Sequence, residues 1–149
     1  MTGNALKIRQ KKTVYLREER DRAVFEAYND AISHNDFKTQ EDAFEYVRTH
    51  PAPRFFIEPE FCTTVICRML RNEPMGIKGE HQRRKFNELF RRYKEFLAEN
   101  PTYPSIVICS IIVNEPAPEF FISTRSVRLI VSRQKEIVWQ EMQRKFRVR

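Results

Sequence analysis

"PAPRFFIEPE" occupies residues 51–60 and "PAPEFFISTR" occupies residues 116–125. The offset of 65 continues without a gap on both sides of the phrase. Upstream it matches Phe25 with Phe90, Tyr28 with Tyr93, Ile32 with Leu97, Asn35 with Asn100 and Val47 with Ile112. Downstream it matches Phe55, Phe56 and Ile57 with Phe120, Phe121 and Ile122, then Cys62 with Val127, Val65 with Ile130 and Ile66 with Val131. The matched positions are mostly apolar, as two copies of one packing scheme require, so residues 23–72 and 88–137 read as a tandem repeat.

The phrase itself divides each copy. Proline lacks the N–H and pushes its predecessor into extended geometry, so Pro51-Ala-Pro53 and Pro116-Ala-Pro118 end a helix. Phe-Phe-Ile follows as an extended segment, and the two such segments are candidates to pair as a small two-stranded ribbon. Pro59 suits the first helical position and Ser123 an N-cap, which predicts third helices from Pro59 to Leu70 and from Thr124 to about Phe146.

Apolar positions at mixed three and four spacing predict amphipathic first helices, from Leu16 to His34 and from about Gly79 to Glu99. Asn35 and Asn100 stand at their C-caps. Thr39 and Asp42 resemble a capping box that opens a short second helix through Ala43, Phe44 and Val47. Its counterpart, within "PSIVICSIIVNEP", is rich in β-branched residues and reads as a strand by propensity, yet the repeat makes it a helix. The expected fold is all-α, two tandem three-helix units. Residues 1–22 form a charged N-terminal segment entering the first helix, 73–87 a linker and the start of the next helix, and 138–149 a basic helix end.

No window carries the roughly 20 apolar residues of a membrane span, and no signal-like stretch opens the chain, so a cytoplasmic protein without membrane contact is expected. Cys62, Cys67 and Cys109 are odd in number, lack metal-ligand spacing and read as small buried hydrophobes. Phosphate-binding glycine loops, paired metal-binding histidines and nucleophile elbows are all missing, which points to a non-enzymatic protein with no cofactor.

Charge is lopsided. Residues 1–74 hold twelve basic and twelve acidic side chains, whereas residues 75–149 hold fifteen and eight and carry the whole net charge of +7. In each copy the order helix, bend, helix resembles a helix-turn-helix unit over about 35 residues, with a connection longer than the usual turn. The resemblance implies DNA binding, with the third helix in the recognition position. In the second copy Arg125 and Arg128 share a face near the helix start, Ser123, Thr124 and Ser126 are candidates for phosphate contacts, and Arg133, Lys135, Arg144, Lys145, Arg147 and Arg149 continue the basic helix. Arg83, Arg84 and Lys85, with the basic residues at 7–12, extend the track.

The first copy is acidic at the same place, with Glu58 and Glu60, and fits a structural or protein-contacting role. Trp139 and Phe146 read as packing residues, against the first copy or a second chain. The sequence therefore predicts a small DNA-binding regulator or accessory protein of a bacterium, phage or mobile element. Its competitor is an adaptor whose repeats are protein-interaction scaffolds.

Overall fold

The computed structural model describes residues 2–147, with side-chain surroundings from residue 13 onward. Six helices follow in order: α1 (Thr2–His34), α2 (Gln40–Arg48), α3 (Pro59–Leu70), α4 (Glu80–Glu99), α5 (Ser105–Ile112) and α6 (Thr124–Arg147). The described residues contain no strand, and the fold is all-α. The boundaries obey the repeat: α1 and α4 end at 34 and 99, α2 and α5 begin at 40 and 105, and α3 and α6 begin at 59 and 124.

Local chemistry accounts for these ends. The Thr39 hydroxyl accepts the Asp42 N–H at 3.2 Å and caps α2. Asn35 and Asn100 close α1 and α4 through their side chains, whose Nδ2 groups donate to Ala31 and Phe96 carbonyls at 3.0 and 3.1 Å. The β-branched stretch of α5 is helical because Ile108, Cys109 and Ile112 are buried, so tertiary packing overrides strand propensity. α1 starts well before Leu16, since the preceding residues offer straight-chain helix formers and no proline.

The packing crosses the repeats. α6 lies against α1 and α2, while α3 lies against α4 and α5. Each three-helix layer thus takes two helices from one repeat and the third from the other, and the second and third helices of a single repeat do not pack on each other. The bend explains the exchange. After the rigid Pro-Ala-Pro, Phe56 and Phe121 adopt φ of +54° and +57°, a left-handed turn that costs a non-glycine residue about 1–3 kcal/mol. It aims the following helix away from its own repeat.

At the crossing, Ala52 and Ala117 exchange two N–H···O bonds of 2.9 Å each. Equivalent residues bonding reciprocally place a local twofold axis between them. This single bridge, rather than a Phe-Phe-Ile ribbon, is the only strand-like pairing among the described residues. The phenylalanines instead stack across the axis, Phe55 on Phe121 with centroids 6.0 Å apart and Phe56 on Phe120 at 6.4 Å. Stacking and burial of these rings offset the backbone strain.

The axis also relates two ion pairs of opposite sense. Arg54 bonds Glu19 at 3.2 Å, and Arg84 bonds Glu119 at 2.5 Å, with positions 19 and 84, and 54 and 119, related by the repeat. Each arginine also lies 5.9 Å from the ring that follows its bend, Arg54 over Phe56 and Arg84 over Phe121. The charges are reversed but the contact is kept. Arg84→Glu is therefore expected to cost about 1–2 kcal/mol, since the pair is only partly buried. Adding Glu119→Arg should recover most of that loss in urea denaturation, because the first repeat already has this polarity.

Candidate nucleic-acid interface

α6 carries seven basic residues against Glu136 and Glu141, whereas its counterpart α3 has Glu60 and Arg68 alone. Its start is as the sequence predicts. The Ser123 hydroxyl accepts the Ser126 N–H at 3.0 Å and donates to the Ser126 hydroxyl at 3.0 Å, an N-cap that employs both serines inside the protein. Val127, Ile130 and Val131 then bury one face against α1 and α2.

The first turns of α6 lie beside the acidic start of α2. The Thr124 hydroxyl donates to the Glu45 carboxylate, and Arg128 stands 3.8 Å from Glu41. Hydrogen bonds from Arg48, then from Thr124, hold the Glu45 carboxyl at about 2, well below the usual carboxylate range. Arg125 and Arg128 are exposed, yet these neighbours lower the positive potential where the sequence reading placed base contacts. This neighbourhood is not legible in the chain, because α2 meets α6 only through the exchange of third helices.

Past Val131 the helix leaves the core. Every residue from 135 to 147 is exposed, and Lys135, Arg144, Lys145 and Arg147 project from this part, with Arg133 just before it. The Lys135 ammonium sits 5.2 Å from the centre of the Tyr28 ring, which anchors the point of departure. Cations near a helix C-terminus complement its dipole. Trp139 and Phe146, expected to pack, are 58% and 71% exposed, because α6 outruns the helices it packs on.

The Arg83-Arg84-Lys85 cluster divides. Arg83 is exposed, but Arg84 is committed to Glu119 and donates to His81 Nδ1 at 2.6 Å. Lys85 is only 9% exposed and shares the buried face of α4 with Phe86, Leu89 and Tyr93. The phosphate track predicted through Arg84 and Lys85 is thus turned inward, the first by its ion pair and the second by helical phase. Its spacing of four from Leu89 was the legible signal. The side chains at 7–12 and Arg149 lie outside the described residues.

Cys62 and Cys109 are buried as expected, while Cys67 is half-buried. The Cys109 thiol beside it, then burial, raise the Cys62 thiol, while Cys109 is lowered by Cys62. Among the described residues no three His, Cys, Asp or Glu side chains gather as a metal site, and no helix is long and apolar enough to cross a membrane. Comparison with protein-family models, curated proteins and solved structures finds no match for this chain.

Proposed function

We propose that the protein is a non-enzymatic DNA-binding protein whose principal contact is the exposed second half of α6. The observation that carries this reading is a helical segment, residues 135–147, that stands outside the core and displays Lys135, Arg144, Lys145 and Arg147. A helix of this kind offers cations along its length to phosphates without unpacking anything. Arg133, Arg128 and Arg125 extend the same helix as secondary contacts.

The test is fluorescence anisotropy on random duplex DNA across a salt series. Each phosphate contact contributes about 0.9 to the slope of log affinity against log salt. Arg144→Ala/Lys145→Ala/Arg147→Ala is expected to reduce that slope by about 2.7, more than Arg125→Ala/Arg128→Ala does. Absence of binding at physiological salt, or a slope untouched by the triple change, would refute DNA as the partner.

A second reading, an adaptor that docks a protein, is favoured by the exposed apolar side chains on the same segment, Ile137, Val138, Trp139, Met142 and Phe146. It requires sedimentation or pull-down to show an assembly that Trp139→Glu abolishes while any DNA affinity persists.

A further inference from the structure

A cleft of about 390 Å³ lies away from the exposed part of α6, lined by Thr13, Leu16, Arg17 and Arg20 of α1, by Phe56, Ile57, Glu58 and Phe61 around the start of α3, and by Lys85 of α4. Three cations face it and one carboxylate does. That carboxylate, Glu58, accepts a hydrogen bond of 2.7 Å from the Thr13 hydroxyl and makes no capping bond to α3. The first turn of the 12-residue α3 is left without a side-chain cap from its N-cap residue, so its positive end faces this region.

Lys85 is the decisive group. It is more than nine-tenths buried, lines the cleft, and has no hydrogen-bond or ion-pair partner among the described residues. A buried ammonium is normally paired, because desolvation of an isolated charge is costly. Its repeat equivalent is Arg20, which lines the same cleft, so two like charges from equivalent positions converge there. Arg20 itself is paired to Asp21 at 3.0 Å. In the other repeat, the equivalents of Arg17 and Leu16 are Gln82, which donates to the Phe121 carbonyl at 3.1 Å, and His81, which is held by Arg84.

We propose that this cleft binds an amphipathic organic anion, its carboxylate or phosphate on Lys85 and Arg20 and its apolar body on Leu16, Phe56, Ile57 and Phe61. The volume suits a small molecule, and apolar walls with a few converging polar groups are the usual make-up of such sites.

The probe is anilinonaphthalene sulfonate, titrated into the full chain and competed with octanoate or inorganic phosphate. One saturable site is expected, displaced by octanoate and not by phosphate at equal concentration. Lys85→Met should weaken it on the order of ten-fold or more, as loss of a charge-assisted contact does, with Arg20→Met as the second variant. Burial first, then Arg20, depress the Lys85 ammonium to about 8. With Arg17, Arg20, Asp21, Glu58 and Cys62 as the other charged or titratable groups around it, affinity should fall above that pH in the native chain and stay flat in Lys85→Met. Unchanged binding in Lys85→Met, loss of binding in Trp139→Glu, displacement by phosphate alone, or no saturable binding would each overturn the assignment.

Discussion

Lys85→Met is expected to make the protein more stable at pH 7, by about 3 kcal/mol. The Lys85 ammonium falls from 10.5, the ordinary lysine value, to about 8 on folding. At about 1.4 kcal/mol per pH unit, that difference is the penalty of keeping the charge buried. The sign follows from proton counting: between about 8 and 10.5 the unfolded chain binds more protons at this site, so native stability rises with pH across that window. Below it the folded and unfolded lysines are both charged and the penalty is complete. The advantage of the methionine variant should therefore be largest at pH 7 and fade as the pH rises from about 8 to 10.5. Paired urea denaturations at the two ends of the range measure it. A variant less stable than the native chain at pH 7 would mean that Lys85 has a stabilising partner. A residue that lowers stability where an apolar side chain would raise it is characteristic of a functional position.

Phe120→Ala carries the second large effect, in the opposite direction. Phe120 is buried at the crossing and stacks on Phe56. Truncating a buried phenylalanine costs about 3–5 kcal/mol in lost transfer energy and cavity formation. Phe55→Ala should cost a similar amount, since Phe55 occupies the equivalent position, stacks on Phe121 and has the Arg92 guanidinium 4.9 Å from its ring centre. In the cycle made by Phe55→Ala and Phe121→Ala, the coupling should be about 0.5–1.5 kcal/mol, the usual value for an aromatic pair. Denaturant midpoints of the four chains supply all the terms, and independent, additive costs would argue against the cross-axis stack.

Much of this fold was legible because its signals are local. Thr39 with Asp42, Ser123, Pro59 and the Pro-Ala-Pro pairs each act within a few residues, and they set the helix ends where the repeat said they would fall. The strand-like α5 was resolved by its match to Ala43, Phe44 and Val47. The exchange of third helices was not legible. Val65, Ile66, Ile130 and Val131 are interchangeable under the repeat, so an apolar stripe fits the first two helices of either copy equally well. The inverted pairs, Glu19 with Arg54 and Arg84 with Glu119, were a clue visible in the sequence, since two positions changed sign together.

The candidate sites divide in the same way. Arg125, Arg128, Arg133, Lys135, Arg144, Lys145 and Arg147 are exposed, as a charge run on an amphipathic helix implies. Arg84 and Lys85 sit in a basic triplet that reads as surface, and only helical phase separates Arg83 from Lys85. The hydroxyls of Ser123, Thr124 and Ser126 suit phosphate by their chemistry, but helix capping and Glu45 use the same chemistry.

The exchange also dictates an order of events during synthesis. α1 and α2 are made first, yet their apolar face is covered only by Val127, Ile130 and Val131 of α6, on the far side of α3, α4 and α5 in the sequence. The first two helices therefore stay uncovered until α6 has been made, whereas α3, α4 and α5 can close on one another before it.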